Sequence, residues 1–221
     1  MYAFLLLLHV LLFVFWVGVD VGVFLLTRVA QKGSHYTVEQ RMLCLKVATW
    51  LDQGPRVCFV LMIAVGSLLG YMGGWLPLSG IQTLIICLLD LVWLAIAIGC
   101  FLFYGKPLGQ RLFKIDTVIQ MCLLVFIGGI GLYQLCKAEP DIQSWVAIKL
   151  CLYASICLFS LILTMISAPM FQGFEKLATD GPSPAVQREL DIATPPVLFV
   201  VLLIYLAATL AAYFGLAKIP A

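Results

Sequence analysis

Long runs of apolar residues alternate with short polar segments along almost the whole chain. A helix needs about 20 consecutive apolar residues to cross the hydrocarbon core of a bilayer, and six stretches reach roughly that length. They cover residues 3–27, 57–77, 81–104, 115–136, 145–169 and 195–217. The runs are too long and too continuous for the alternating strands of a membrane barrel. The pattern therefore predicts an all-α fold, a polytopic membrane helix bundle of six spans in one integral membrane domain (residues 1–221).

The composition supports the same class. Of the 221 residues, 63% are hydrophobic and only 11% are charged, whereas a soluble domain carries about 25% charged residues. A soluble catalytic domain is therefore excluded, and the lipid bilayer is the expected surrounding. The net charge of +2 and the lack of a basic, aromatic-rich patch give no indication of nucleic-acid binding.

Basic residues mark one side of the predicted bundle. The first, third and fifth connections hold five, three and two Lys or Arg residues, which is ten of the thirteen in the chain. These ten are Arg28, Lys32, Arg41, Lys46, Arg56, Lys106, Arg111, Lys114, Lys176 and Arg188. Because Lys and Arg accumulate in cytoplasmic connections, both termini are predicted to lie on the other side. In a bacterial inner membrane that side is the periplasm.

Two connections contain amphipathic segments. Residues 37–52 place apolar side chains near one face, which predicts a helix lying along the membrane plane, and Gly54-Pro55 follows it. A short helix is predicted around residues 171–178, with a second short helix after it. Thr194 is predicted to cap the last span, which then begins at Pro195.

Small residues and thiols occur inside the predicted spans. Gly66, Gly70 and Gly74 form a repeated G-x-x-x-G pattern, and Gly128, Gly129 and Gly131 cluster in the fourth span. Such residues allow close helix packing; a homodimer face or space for a flat macrocycle are the alternatives. Six of the eight cysteines lie in spans without any C-x-x-C pair, so we interpret them as structural thiols.

Four His, Asp or Lys residues lie away from the ends of the apolar runs: His9, Asp20, Asp90 and Lys149. Placing a charge in hydrocarbon costs at least a few kcal/mol, so such residues usually face the bundle interior and serve a path, a partner or a cofactor. Lys149, Asp90 and Asp20 are therefore the candidate catalytic or ion-path residues. Together they suggest a polar track through the bundle.

The first span contains the best-defined constellation. His9, Trp16 and Asp20 are spaced by seven and four residues, which places them on one helix face. His9 is predicted about 9 Å, and Lys149 about 6 Å, below the same membrane surface from the helical rise. These two side chains are therefore predicted to be neighbours.

A buried imidazole is a common axial ligand of haem iron, and a nearby ammonium could pair with a propionate or a substrate carboxylate. His9 is the candidate metal ligand, and Met72 is the one methionine at a suitable depth for a second ligand. His35 is predicted at the opposite surface. Two simpler interpretations remain open: His9 as a hydrogen-bonding residue between helices, and Lys149 as an interfacial anchor.

The segment His9-Val-Leu-Leu-Phe-Val-Phe-Trp16-Val-Gly18 resembles the H-x6-W-x-G pattern of CopD-like copper-resistance membrane proteins and of HemJ-type protoporphyrinogen oxidases. Trp145-Val-Ala-Ile-Lys149-Leu is similar to the W-x3-K-L opening of a late helix in both groups. Arg56 resembles the arginine that opens their second helix. The resemblance covers about a third of the chain and implies His9, Trp16, Lys149 and Arg56 as cofactor-binding residues.

These observations predict a haem b-binding inner-membrane protein in membrane redox chemistry or haem metabolism, with a haem-dependent oxidoreductase activity left open. A copper- or ion-handling permease is the first alternative, with copper in place of haem. A non-catalytic accessory subunit of a larger membrane complex is the second. A homodimer or a partner membrane subunit is compatible with each of them.

Overall fold

The computed structural model describes residues 1–33 and 35–218, which form eight helices. They are α1 (Tyr2–Gln31), α2 (Val38–Leu51), α3 (Gln53–Met72), α4 (Gly80–Leu102), α5 (Pro107–Cys136), α6 (Ser144–Ile166), α7 (Ala168–Thr179) and α8 (Pro184–Ala217). Six stretches are long and apolar enough to cross a membrane: α1, α2 together with α3, α4, α5, α6 and α8. The predicted polytopic helix bundle is confirmed.

The spanning helices close into a ring in the order α1, α3, α4, α5, α6, α8, and α8 packs back against α1. α1 begins and α8 ends at the same end of this ring, called here the terminal side; the α4–α5 connection lies on the opposite side. Many large apolar side chains on the outside of the ring are exposed, as lipid-facing residues are. The buried cluster inside contains Leu12, Trp16, Phe59, Trp93 and Cys157.

The helix predicted over residues 37–52 is confirmed as α2, but its predicted course along the membrane plane is wrong. Arg41 Nε and Nη2 donate hydrogen bonds to Ala30 O and Gln31 O at 2.6 and 3.1 Å. Further along, a Cβ on Gly22 would lie 3.9 Å from Leu51. α2 therefore runs back along α1. At 30 residues, α1 is about 45 Å long, beyond a hydrocarbon core of about 30 Å, so its last turns extend past the core and α2 covers them.

The last helix begins earlier than predicted. Ser183 accepts a hydrogen bond from Val186 N, Pro184 occupies the first turn, and α8 continues through Pro195 and Pro196. Thr194 is fully buried within the helix and does not cap it. The two prolines remove backbone donors, but α8 also packs against α1, α6 and α7. These contacts hold it together through the prolines.

Two other boundaries matter for the site. α3 ends at Met72 rather than at residue 77, because the chain turns at Gly74 (φ 68°), a backbone conformation that favours glycine. α5 begins at Pro107 rather than at residue 115, which puts Asp116 in its third turn.

After α5, the Lys137 ammonium and then the Gln134 amide donate hydrogen bonds to Asp141 and lower the pKa of this carboxyl.

Replacing Gly131 by alanine is expected to destabilise the α5–α6 contact. A Cβ on Gly131 would lie 2.7 Å from Cys151 Sγ and 2.9 Å from the backbone oxygen of Ala147. Overpacking of this kind costs about 1–3 kcal/mol, measurable as a lower midpoint of thermal unfolding in detergent. Gly129→Ala is the matched control, since a Cβ on Gly129 would meet nothing within 4 Å. Equal midpoints for the two variants would contradict this packing.

Candidate functional site in the membrane bundle

His9 and Lys149 meet in the terminal half of the bundle. His9 lies on α1, two turns below Tyr2, and a Cβ on Gly66 of α3 would lie 3.7 Å from its Cε1 atom. Lys149 lies on α6 close enough to His9 for their charges to interact. A Cβ on Gly215 of α8 would lie 2.8 Å from Lys149 Nζ, so the lysine side chain uses the space that this glycine leaves. Both side chains therefore lie in the terminal half of the bundle, within electrostatic range of each other.

The imidazole of His9 is incompletely paired. Its Nδ1 atom is buried and has no hydrogen-bond partner among the described residues. Buried polar atoms are rarely left without a partner, so this nitrogen needs an explanation. A ligand or a proton carried at this position would provide one.

Aromatic rings cover His9 and Lys149 on the terminal side. The ring of Trp75 lies 6.2 Å from that of Tyr2 and 5.2 Å from that of Trp145. Tyr2 precedes His9 by two helical turns and Trp145 precedes Lys149 by one, so each is on the same helix face as the residue below it. Trp145 also lines a cleft of about 470 Å³ that Asp141 and Lys218 border.

A second aromatic cluster closes the bundle further inside. The ring of Phe59 lies 5.3 Å from Trp16, 5.6 Å from Trp93 and 5.0 Å from Tyr153, which it stacks on. The hydroxyl of Tyr153 donates a hydrogen bond to Phe59 O at 3.0 Å. These rings come from α1, α3, α4 and α6. Trp16 therefore belongs to the bundle interior, as its shared face with His9 predicts.

Asp116 is the centre of the most extensive polar contact in the interior. It is 1% exposed and accepts hydrogen bonds from Arg56 Nη2 at 2.6 Å, Trp93 Nε1 at 2.8 Å and Gln120 Nε2 at 2.8 Å. Arg56 therefore forms an ion pair with Asp116 near the side of the bundle opposite the termini. It lies ten residues, or about 15 Å, along α3 from Gly66, so it does not meet His9.

Asp90 lies on α4 near the middle of the bundle. It is 3% exposed, and both carboxyl oxygens lack a hydrogen-bond partner within residues 1–33 and 35–218. The backbone of Ala64 on α3 and the side chain of Tyr153 on α6 are beside it. This carboxyl group is therefore unpaired in an apolar setting.

Asp20 lies on the opposite-side half of α1, away from His9. Asp52, between α2 and α3, and Tyr205 of α8 are its neighbours. The Tyr205 hydroxyl faces Asp20 without reaching hydrogen-bond geometry. The four predicted polar residues therefore do not form one continuous track. His9 and Lys149 lie on the terminal side of the aromatic cluster, and Asp20, with Asp52 and Tyr205, lies on its opposite side. Asp90 lies at a level between them.

Met72 and His35 do not join His9. Met72 is exposed at the end of α3, six residues or about 9 Å beyond Gly66 along the helix axis. His35 is exposed in the α1–α2 connection. Among the described residues, no three His, Cys, Asp or Glu side chains are grouped as a metal ion would require. His9 is therefore the one predicted metal ligand that lies in the terminal half of the interior.

Sequence reasoning missed Asp116 as a site residue. The predicted span began at residue 115, which put Asp116 at a membrane surface where an acidic residue needs no explanation. The signal was present in Pro107, since proline is favoured in the first turn of a helix and a start there places Asp116 three turns inside. The same shift places Gln120 inside the bundle.

No protein-family model, curated protein or solved structure matches the chain.

Proposed function

We propose that the chain holds one b-type haem on His9 and acts in membrane redox chemistry or haem metabolism. The observation that carries the proposal is the buried, unpaired Nδ1 atom of His9 beside the ammonium group of Lys149. A neutral imidazole in this setting is suited to ligate iron. The resemblance of the segment from His9 to Gly18 to CopD-like and HemJ-type proteins supports the same proposal.

The residues around His9 support the proposal. Lys149 would supply a cation for a propionate in a medium where charge pairing is strong. The rings of Trp75 and Trp145 lie toward the terminal side of His9, and those of Trp16 and Phe59 lie toward the opposite side. A bound haem would supply one-electron chemistry. Met72 is too exposed and too distant along α3 to act as a partner ligand, so His9 is the single protein ligand of the proposal.

Copper is less well supported than haem. A copper site needs several soft or imidazole ligands held together, and among the described residues no three His, Cys, Asp or Glu side chains are grouped in this way. Haem needs one imidazole and an apolar enclosure. The arrangement around His9 matches that simpler requirement.

The test is the absorption spectrum of the protein purified from haem-replete cells, first oxidised and then reduced with dithionite. A Soret band that shifts on reduction is expected, with about one haem per chain by pyridine haemochromogen assay. Metal analysis of the same sample separates the alternatives: stoichiometric copper without a Soret band would overturn the haem proposal. A stoichiometric partner subunit, found with neither haem nor copper, would favour an accessory role.

We also propose that the protein resides in a bacterial inner membrane with both termini in the periplasm. The ten Lys and Arg residues counted above support this orientation. A reporter active only in the cytoplasm is expected to be active after residue 105, in the α4–α5 connection, and inactive after Ala221. The reverse pattern would overturn the orientation and leave the haem proposal standing.

A further inference from the structure

Two buried carboxyl groups on neighbouring helices differ sharply in their surroundings. Asp116 accepts three hydrogen bonds, one of them from a guanidinium group. Asp90 accepts none from any side chain, although it is 3% exposed. An ionised carboxylate left without partners in a low-dielectric interior costs several kcal/mol. Asp116 is therefore suited to hold a negative charge, and Asp90 is suited to hold a proton.

Gln120 lies at the level of Asp90 and complements it. α4 and α5 are antiparallel, since Trp93 contacts Asp116 and Gly99 contacts Leu112. Gln120 is one turn beyond Asp116 on α5, and Asp90 is three residues before Trp93 on α4, so these two residues come to the same level. Gln120 Nε2 donates to Asp116, while its buried Oε1 atom has no donor within the described ranges. A protonated Asp90 carries an O–H group without an acceptor, and Gln120 Oε1 is an acceptor without a donor.

The contacts of Gln120 continue toward the opposite side. Asp116 Oδ2 accepts hydrogen bonds from both Gln120 and Arg56. The Arg56 side chain is 28% exposed, against 1% for Asp116, and Asp52 is its other charged neighbour. Polar side chains therefore lead from the middle of the bundle to its surface. The other titratable neighbours of Asp90 are Cys87, one turn toward the terminal side on α4, and Tyr153, whose hydroxyl is bonded to the backbone of Phe59.

We propose that Asp90 is a proton-binding site in the middle of the membrane, and that it exchanges its proton with the side opposite the termini along Gln120, Asp116 and Arg56. The O–H group of Asp90 donates toward Gln120 Oε1. When the proton leaves, it passes to water and reaches solvent past Arg56. Asp90 then remains a carboxylate until a proton returns by the same route. The site is independent of any haem on His9.

Infrared spectroscopy of the purified protein in lipid tests the site. A protonated, buried carboxyl group gives a carbonyl stretching band separated from those of carboxylates and amides. We expect Asp90→Asn to remove such a band at neutral pH and Asp90→Glu to shift it. Asp191→Asn, at an exposed carboxyl group, is the control and should retain it. A band unchanged in both Asp90 variants would overturn the site, and Asp90→Glu keeps the test decisive if Asp90→Asn does not fold.

Deuterium exchange tests the route. In D₂O the Asp90 band shifts as its proton is replaced, and Gln120→Leu is expected to slow that shift at least about tenfold, a barrier increase of about 1.4 kcal/mol. Gln134→Leu is the matched control, because Gln134 is a second buried glutamine on α5 that bonds Asp141 near the other end of the helix. Equal exchange rates in the two variants would overturn the route.

Discussion

Asp116→Leu is expected to destabilise the protein by about 3–5 kcal/mol, the range found when one partner of a buried ion pair is removed. The variant removes the carboxylate to which the Arg56 guanidinium is hydrogen-bonded and leaves Asp52 as its one charged neighbour of opposite sign. It also removes the acceptor for Trp93 Nε1 and Gln120 Nε2. The measurement is the midpoint of thermal unfolding in detergent, followed by the tryptophan fluorescence of the purified protein.

The double variant Arg56→Met/Asp116→Leu distinguishes the cost of an uncompensated buried charge from the cost of altered packing. Because replacing both partners by apolar residues removes the uncompensated charge, we expect it to recover much of the stability that Asp116→Leu loses. Glu189→Leu breaks the exposed pair with Lys176 and should change the midpoint little. An Asp116→Leu midpoint no lower than that of Glu189→Leu would contradict the role given to this network.

The fold was largely predictable because the lipid bilayer requires every spanning helix to contain about 20 apolar residues. Apolar runs of sufficient length are readable in the sequence, and the six spans follow from them. The similar depth of His9 and Lys149 was also predictable, since the helical rise from the same membrane surface gives the depth of each residue directly. Each of these inferences depends on local sequence alone.

The features that sequence reasoning predicted wrongly or missed depend on tertiary contacts. α2 was predicted in the membrane plane because its apolar side chains indicated contact with lipid, whereas part of them cover the last turns of α1. The sequence predicts that the last span begins at Pro195 because proline is favoured in the first turn of a helix, yet α8 continues through Pro195 because it packs against neighbouring helices. The partners of Asp116 come from α3, α4 and α5, and sequence order does not indicate that these residues meet.

His9→Ala is expected to abolish the haem absorption band while the protein still inserts and folds. The reason is that His9 is the one protein ligand that the proposal contains, and its imidazole borders Gly66 of α3. Removing it should therefore affect binding more than packing. The measurements are the haem content and the oxidised and reduced spectra, normalised to folded protein by size-exclusion chromatography.

His35→Ala is the matched control, because His35 is the second histidine of the chain and is exposed in the α1–α2 connection. It should leave the spectrum unchanged. Lys149→Met keeps the length of the side chain and removes its charge, so it should retain the axial ligand while weakening haem retention during purification. An unaltered spectrum in His9→Ala would show that another residue ligates the iron. His9 would then be a packing residue whose Nδ1 is left unpaired, at the usual cost of a buried polar atom without a partner.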